Sequence, residues 1–353
     1  MNPISFPIRV LVVEDSPASR ELLTWLLGAD PQIEVVGVAA DGEAAVAAAQ
    51  RLLPDVITMD IHLPKLDGFG ATRRIMALCP TRIVMVTATS MPAEVAASFR
   101  ALESGALTVI GTPPGPGHPM FGAARDELLR TVKLMAEVKV VKRWSPPGNA
   151  LAVRRPPPEL DEAPRPGQVR LVAIGASTGG PLVLQEVLSE LRPALRAPIV
   201  IVQHISHGFA AGMAQWLAQT TGYDVRVAQP SECMQPGIAY VAPDGMQLRV
   251  RGSGHIVLTD EPPENGFRPS VACLFRSAAV EYGAHAVGVL LTGMGRDGAL
   301  ELKLLRQAGA LTLVQDSATA VINGMPGEAV RLGAAAHVLA PPHIASTLQR
   351  WVR

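Results

Sequence analysis

The chain has few cysteines and no excess of either charge. Three of its 353 residues are cysteines, Cys79, Cys233 and Cys273. An odd number of widely spaced cysteines argues against a disulfide framework or a zinc cluster and is typical of a reducing compartment. The 31 Lys and Arg residues balance 31 Asp and Glu residues. The basic excess expected of a nucleic-acid or anionic-membrane binder is therefore missing.

Targeting and membrane-spanning patterns are missing as well. The N-terminus has no basic segment followed by a long apolar core and a cleavage site, and it runs directly into Glu14 and Asp15. Residues 104–124 carry no Lys, Arg, Asp or Glu, but four prolines and five glycines interrupt them. So many helix breakers exclude a membrane span. These absences predict a cytoplasmic protein without membrane insertion.

What the chain does contain is enough apolar sequence for two domains. Hydrophobic residues make up 48% and charged residues 18%, which indicates globular packing. Residues 144–167 hold seven prolines in 24 positions, a composition typical of a stiff, exposed connector. An amphipathic helix is predicted just before it, at 126–141. The predicted organisation is a first domain at 1–125, a helix and proline-rich linker at 126–167, and a second domain at 168–353.

Apolar runs alternate with helical patterns throughout the first domain. The predicted strands are 10–13, 35–38, 56–59, 83–86 and 107–110, and the predicted helices are about 17–27, 43–53, 70–78 and 93–104. Five such repeats predict an α/β domain of the flavodoxin-like (βα)5 type, with a parallel sheet covered on both faces. In that order strands 1 and 3 are neighbours, and a ligand binds at their carboxyl ends.

Three acidic residues fall at that predicted edge. Glu14 and Asp15 follow the first strand, and Asp60 follows the third. Clustered carboxylates repel one another unless they share a cation or a proton. Mg²⁺ is the natural cation, because it prefers a few carboxylates together with water and phosphate oxygens. Asp60 could then accept a phosphoryl group, and Thr87, at the end of the fourth strand, could offer that group a hydroxyl.

These residues lie in segments that resemble a response-regulator receiver domain. The matching segments are Val-Val-Glu14-Asp15-Ser, Asp60-Ile-His-Leu-Pro64-Lys-Leu-Asp67-Gly68 and Thr87-Ala88. The resemblance implies a phosphorylated Asp60 and a histidine kinase as the phosphodonor.

The resemblance fails at one functional position. Receivers carry a lysine before a proline after strand 5, and here Thr112 precedes Pro113. No lysine lies between Lys65 and Lys133, so the lysine has not moved by one residue. The aromatic switch position is Val109. Metal binding and phosphoryl acceptance remain predicted, while the coupling of phosphorylation to a conformational change is predicted to be weakened.

The strand and helix pattern begins again in the second domain. Leu171-Val172-Ala173-Ile174 reads as a buried strand, and a helical pattern follows Pro181. Between them, Gly175-Ala176-Ser177-Thr178-Gly179-Gly180 forms a tight turn of small residues. Ser177 in this turn could be a nucleophile near free N–H groups of a helix amino terminus. The alternative is that it is ordinary turn chemistry.

Two further polar residues follow predicted parallel strands. His204 follows the strand at 198–202, and Asp297 lies in the loop after the strand at 286–291. The pattern predicts a doubly wound, mainly parallel α/β sheet, whose ligands lie at the carboxyl ends of the strands. Ser177, His204 and Asp297 would supply the three roles of an acyl-transfer site.

Three alternatives compete with this interpretation. Gly175-x-Ser177-x-x-Gly180 is one residue away from a dinucleotide-binding motif, but the serine would obstruct a pyrophosphate and the next strand ends in His204 instead of an acid. His204 and His207 could bind a metal, although no further ligand has suitable spacing. Asp316, after the strand at 311–314, competes with Asp297, which is favoured by the glycines around it.

The second domain resembles the CheB family of chemotaxis protein-glutamate methylesterases. The resemblance rests on Ile-Gly-Ala-Ser-Thr-Gly-Gly-Pro, Val-Gln-His, Leu-Leu-Thr-Gly-Met-Gly-Arg-Asp-Gly and Asn-Gly-Met-Pro, in this order behind a receiver and a proline-rich linker. It implies a triad of Ser177, His204 and Asp297, with Thr178 and Met294 helping to hold the oxyanion.

The resemblance also implies a function. Family members remove methyl groups from glutamate side chains on the cytoplasmic helices of methyl-accepting chemoreceptors, releasing methanol, and many deamidate glutamines there. The esterase site needs no cofactor. The unphosphorylated receiver covers the catalytic face, and phosphorylation uncovers it. The alternative is a non-catalytic two-domain adaptor that binds receptors. A transcription factor is disfavoured because no basic helix-turn-helix pattern occurs.

Overall fold

A computed structural model describes residues 7–88, 95, 96, 98–138, 169–191 and 195–352. The chain divides into two compact units, Met1–Ala152 and Val153–Arg353. The predicted connector at 144–167 lies outside the described residues. Each unit is built around its own parallel sheet. Among the described residues, no helix combines the length and apolar character needed to cross a bilayer.

The first unit is a five-stranded parallel sheet with helices between the strands. The strands are β1 Ile8–Val13, β2 Ile33–Ala39, β3 Val56–Met59, β4 Arg82–Thr87 and β5 Thr108–Gly111. The helices are α1 Pro17–Gly28, α2 Gly42–Leu52, α3 Gly68–Leu78, α4 Arg100–Glu103 and α5 Phe121–Glu137. The order β2-β1-β3-β4-β5 confirms the predicted flavodoxin-like arrangement. The helix predicted at 93–104 is described only in part, and α4 is its last turn.

Short polar residues begin the helices of this unit where the sequence pattern places them. The side chain of Ser16 accepts a hydrogen bond from the N–H of Ser19, ahead of a proline in the first turn of α1. Asp41 and Asp67 accept in the same way at the starts of α2 and α3. Such caps satisfy helix N–H groups that have no partner within the helix. These caps fix the first residues of α1, α2 and α3, two of which begin within four positions of the preceding strand.

Helix α5 packs on the first sheet. Its buried residues Leu128, Val132 and Met135 lie on one stripe, and the helix contacts β3 and β4. The Nε of Arg82 in β4 donates to the carbonyl oxygen of Val138 just after the helix, at 2.8 Å. The helix begins at Phe121, so the domain end predicted at residue 125 falls inside its first turns.

The second unit contains a larger parallel sheet. Its strands are β6 Leu171–Ala176, β7 Ile199–Gln203, β8 Asp224–Val227, β9 Ile238–Val241, β12 Ala286–Leu290, β13 Leu311–Gln315 and β14 His337–Leu339, while β10 Gln247–Val250 and β11 Ile256–Thr259 form a separate antiparallel hairpin. The helices are α6 Gly180–Glu190, α7 Ala210–Thr221, α8 Val271–Glu281, α9 Ala299–Gln307, α10 Met325–Arg331 and α11 Pro341–Trp351.

The winding of this sheet reverses beside β6. The strand order is β14-β13-β12-β6-β7-β9-β8, and every neighbouring pair is parallel. The chain moves from β6 to β7 on one side and later returns to β12 on the other. Loops leave the sheet in opposite directions at such a reversal and open a crevice at the carboxyl ends of the strands. The doubly wound fold predicted from the sequence is confirmed, and its crevice is flanked by the loops after β6 and β12.

Strand β6 is the centre of this unit's core. All of its residues are buried, because helices cover both faces of a parallel sheet and leave no solvent-exposed side. That burial explains its uninterrupted apolar sequence. The sequence analysis assigned no element between residues 207 and 285, where the structure has α7, β8, β9, the β10–β11 hairpin and α8.

We expect Gly68→Ala to destabilise the first unit. A Cβ at Gly68 would lie 2.1 Å from the carbonyl oxygen of Asp60, and backbone cannot move aside as a flexible side chain can. The unfolding free energy should fall by about 1–3 kcal/mol, measured by hydrogen exchange of the β1 and β3 amides in the full chain. Gly28→Ala is the matched control, since a Cβ there meets nothing within 4 Å. Equal exchange rates in the two variants would contradict the argument.

Candidate active site

Ser177 occupies the turn between β6 and α6. Its backbone N–H donates to the carbonyl oxygen of Thr292 at 3.0 Å, and its own carbonyl accepts from the N–H of Gly180 at 2.8 Å. Ser177 is only 8% exposed. These contacts tie the serine to the loop after β12 and to the first residue of α6. The predicted strand–turn–helix setting of Ser177 is therefore what the structure has.

Gln203 joins the serine turn to the neighbouring strand end. Ala176 and Gln203 are paired in the register of β6 and β7, so Ser177 and His204 are the residues that follow the paired positions. The Nε2 of Gln203 donates to the carbonyl oxygen of Ser177 at 2.7 Å and to that of His204 at 2.8 Å. One buried amide thus holds both turns at a fixed separation. The sequence analysis noted Gln203 without assigning it this role.

His204 and Asp297 are hydrogen-bonded to each other. The Nε2 of His204 lies 2.9 Å from the Oδ2 of Asp297, and the two side chains are 5% and 0% exposed. The other ring nitrogen, Nδ1, is buried and has no hydrogen-bond partner among the described residues. A carboxylate can only accept, so Nε2 carries the proton and Nδ1 presents a lone pair. The base nitrogen available to a hydroxyl is therefore Nδ1.

The carboxylate of Asp297 has four donors. Its Oδ2 accepts from His204 and from the N–H of Val271 at 2.7 Å, and its Oδ1 accepts from the N–H of Ala272 at 3.3 Å and from the Nδ2 of Asn265 at 3.2 Å. Burial raises the pKa of Asp297, but the hydrogen bonds, led by that from His204, outweigh it and lower the pKa below the ordinary value. Val271 and Ala272 begin α8, whose amino terminus favours negative charge. Asp297 therefore stays ionised although it is buried.

The competing residues have other partners. The Oδ1 of Asp316 accepts from the N–H groups of Ala318 and Thr319 and so closes its own turn after β13. His207 is exposed. In the described part of the chain, no group of three metal-ligating side chains includes His204 or His207. The structure thus brings Asp297, and not Asp316, to the imidazole.

Thr178 and Met294 lie on either side of Ser177. Thr178 follows it in the chain, and Met294 follows Gly293, where an added Cβ would lie 2.6 Å from the Cβ of Ser177. Only glycine allows the loop after β12 to approach so closely. Within the described residues, the backbone N–H groups of Thr178 and Met294 donate to no protein acceptor. Both are therefore available to a substrate oxygen.

Two residues of the site were missed from the sequence. Asn265 donates to Asp297, and the ring of Phe267 stacks on the imidazole of His204. A signal for this turn exists, since Asn-Gly is a strong predictor of a two-residue hairpin turn. Nothing in the sequence indicates that the turn at Asn265-Gly266 lies against residues far away in the chain.

The first unit brings its three predicted acids together. Ligand oxygens of Glu14, Asp15 and Asp60 all lie within 4.8 Å of one another. Burial, followed by the charge of Asp60, raises the pKa of Glu14 to about 7. Burial also raises the pKa of Asp60. Crowded carboxylates are stabilised by a shared cation or a shared proton, and an all-oxygen donor set is of the kind that suits Mg²⁺.

The predicted phosphoryl-switch positions lie in β4 and in or just after β5. The Oγ1 of Thr87 is buried and has no hydrogen-bond partner among the described residues. The N–H of Thr112 donates to the carbonyl oxygen of Thr87 at 2.9 Å, so Thr112 stands at the end of β5 beside the predicted hydroxyl. Val109 is buried. Thr112 brings no positive charge to this edge of the sheet.

Comparison with known proteins identifies the family. The CheB methylesterase family matches residues 172–348, and the response regulator receiver domain matches residues 10–113. A curated protein-glutamate methylesterase/protein-glutamine glutaminase of Geobacter metallireducens is 50% identical over 97% of this chain and 98% of its own length. The chain belongs to the CheB methylesterase family. A relative of the same name from Syntrophus aciditrophicus is 50% identical over 97% of both chains.

Family membership bears on the two functional hypotheses. Both relatives are named as enzymes and align over nearly their whole length, so the hypothesis of a non-catalytic adaptor is not supported. A solved structure of the catalytic domain of CheB from Thermotoga maritima covers 51% of this chain and 97% of its own, with 33% identity and a TM-score of 0.49.

We expect Gln203→Leu to destabilise the second unit and lower its hydrolytic activity together. The leucine would leave the carbonyl oxygen of His204 without the amide donor of Gln203. It would also remove the two hydrogen bonds that join the turns of Ser177 and His204. Losing such a buried hydrogen bond should reduce the free energy of unfolding by about 1–3 kcal/mol, measured by chemical denaturation. Gln307→Leu, at an exposed position on α9, is the matched control. A Gln203→Leu protein as stable and active as that control would show that the amide holds nothing in place.

Proposed function

We propose that this chain hydrolyses the methyl esters of glutamate side chains in methyl-accepting chemoreceptors, and the amides of glutamine side chains there. The observation that carries the proposal is the buried hydrogen bond from His204 to Asp297, formed at the strand end beside Ser177 in a chain of this family. A base held by an ionised acid next to a serine in a strand–turn–helix is the arrangement that acyl transfer requires.

The reaction proceeds through an acyl-enzyme. The Nδ1 of His204 takes the proton of Ser177 as the hydroxyl oxygen attacks the ester carbonyl. The resulting imidazolium is stabilised by Asp297, which retains its negative charge. His204 then returns the proton to the departing methoxide, and methanol leaves. A water molecule, deprotonated by the same nitrogen, releases the glutamate and restores Ser177.

The developing oxyanion is held by backbone N–H groups. Those of Thr178 and Met294 flank Ser177 and donate to no acceptor among the described residues. Such preorganised donors are worth roughly 3–4 kcal/mol each when they meet charge formed in the transition state. Ester cleavage needs less help from the acid than amide cleavage, since methoxide leaves more readily than an amine. Deamidation is therefore the more demanding reaction of the pair.

The first unit receives a phosphoryl group from a histidine kinase of a chemosensory pathway. Asp60 is the acceptor, and Glu14, Asp15 and Asp60 would hold Mg²⁺, which would supply positive charge to neutralise the transferring group. The free hydroxyl of Thr87 donates to the phosphoryl oxygens. Thr112 supplies no cation at the position where receivers have lysine, so the phosphorylated state is held less firmly.

The setting follows from the substrate. The receptor segments that carry methylated glutamates are cytoplasmic, so the enzyme works in the cytoplasm and needs neither membrane insertion nor nucleic acid. The proposal also includes the boundaries of the receiver at 1–125, of the helix and linker at 126–167 and of the catalytic domain at 168–353.

Replacing the nucleophile tests the mechanism. Ser177→Ala should lower the rate of demethylation by roughly four to six orders of magnitude, as for other triad nucleophiles. The measurement is methanol release from a receptor labelled in its methyl esters. Ser346→Ala, on α11 outside the site, is the matched control. Near-normal turnover by Ser177→Ala would end the triad assignment.

Replacing the receiver threonine tests the weakened switch. A small-molecule phosphodonor should raise the demethylation rate of the wild type by less than about tenfold, at the low end of typical couplings between sites. Thr112→Lys should increase that activation, because an ammonium would pair with the phosphoryl group. Asp60→Ala should abolish it in both backgrounds. Activation of the wild type by tenfold or more, lost in Asp60→Ala, would refute the weakened switch.

A further inference from the structure

A tight turn lies on the His204–Asp297 pair. Glu264 and Phe267 exchange two backbone hydrogen bonds, of 3.0 and 2.9 Å. Between them, Asn265 and Gly266 have φ values of 55° and 83°, the left-handed conformation that a two-residue type I′ turn requires at both positions. The backbone of this turn is therefore well defined. Its side chains project from a rigid frame.

The ring of Phe267 covers the imidazole of His204. The two ring centroids are 3.8 Å apart and the planes differ by 2°. A flat ring packed in parallel against the imidazole prevents the imidazole from turning about its Cβ–Cγ bond, since rotation would drive ring edges into the aromatic face. The hydrogen bond from Nε2 to Asp297 fixes the direction within the plane. Together the two contacts determine where Nδ1 points.

Asn265 acts on the acid of the same pair. Its Nδ2 donates to the Oδ1 of Asp297 at 3.2 Å. The N–H groups of Val271 and Ala272 reach the two oxygens from α8. The carboxylate is thus held on both sides, by a helix terminus and by the turn. One short turn contacts both partners of the hydrogen bond that orients the base.

The turn is itself anchored at two points. Glu264 forms an ion pair with Arg276 of α8. The carbonyl oxygen of Phe267 accepts from the Nε2 of Gln247 in β10 at 3.1 Å, and the Oε1 of that fully buried glutamine accepts from the N–H of Ser270. Because the turn is bound to a helix and to a hairpin, it can hold the side chains of His204 and Asp297, which it contacts, in fixed positions.

We propose that Phe267 and Asn265 are positioning residues of the hydrolytic site. Phe267 holds the plane of the His204 ring by covering one face of it, and Asn265 holds the carboxylate of Asp297. The inference rests on the proposed function, because it assumes that His204 is the base. The orientation of this base is then set by residues 264–267, which lie outside the loops that carry the three triad residues.

Removing the aromatic face is the first test. Phe267→Leu and Phe267→Met both remove the ring and keep most of the apolar volume in different shapes. Either variant tests the inference, provided that it folds. The value of kcat for ester hydrolysis should fall by about 10- to 100-fold, the cost of a small misplacement at a reacting centre. KM should change by less than about threefold, since ground-state binding is not affected. Phe267→Tyr keeps a six-membered ring and should stay within about threefold of the wild type. Phe121→Leu, in the first unit, is the matched control.

A measurement without substrate accompanies the kinetics. In protein with nitrogen-labelled histidine, the Nε2 proton of His204 should give a downfield resonance, typical of a hydrogen bond to a carboxylate, which is assigned by its loss in His204→Gln. This resonance should broaden or shift upfield in Phe267→Leu and Phe267→Met and persist in Phe267→Tyr.

The second residue is tested by Asn265→Gly. This variant keeps the left-handed turn but removes the hydrogen-bond donor to Asp297, and it should lower kcat by about 3- to 30-fold.

The outcomes separate the two proposals. An unchanged kcat and an unchanged Nε2 resonance in a folded Phe267→Leu or Phe267→Met protein would overturn the positioning role and leave the proposed function intact. Full activity of Ser177→Ala would overturn the proposed function, while the resonance would still report whether Phe267 orients the ring. A rise in KM with constant kcat would assign Phe267 to substrate binding and also overturn the positioning role.

Discussion

The second unit depends on the pairing of one buried negative charge. A carboxylate removed from water is strongly destabilising unless hydrogen bonds and opposite charge replace its hydration. Asp297 is 1% exposed, and its donors come from the residue after β7, from the start of α8 and from the turn at 264–267. These three parts of the chain must therefore meet at one point. The glycine at 298 and the narrow approach at Gly293 allow the loop after β12 to reach that point.

The first unit shows the opposite electrostatic situation. Glu14, Asp15 and Asp60 converge, and burial raises the pKa values of Glu14 and Asp60. In the second unit, the hydrogen-bonded carboxylate of Asp297 keeps a low pKa and orients the imidazole of His204. Crowded acids in the first unit repel one another and are stabilised by a shared cation or proton. The pKa of a buried carboxyl thus moves in opposite directions in the two units, according to the hydrogen bonds and charges around it.

Sequence patterns predicted the five strands of the first sheet and β6, β7, β12 and β13 of the second, but not its outer strands β8, β9 and β14. Strands such as β6 and β12 are buried on both faces, so each is a short apolar run followed by small residues. Ser177, His204 and Asp297 could be proposed because each follows such a run. The hairpin β10–β11 was missed, since four-residue strands with part-buried positions have no strong period. Asn265 and Phe267 were missed because only their contacts give them a role.

By itself the sequence determined the βα repeats, the residues at the strand ends and the absence of a receiver lysine, because these depend on neighbours a few positions away. Tertiary structure alone decided that β12 returns to lie beside β6, that Asp297 and not Asp316 reaches His204, and that Nδ1 is the nitrogen left open. These features join residues as far as 93 positions apart. Such pairings are selected by the packing and hydrogen bonding of the whole unit, which no local pattern records.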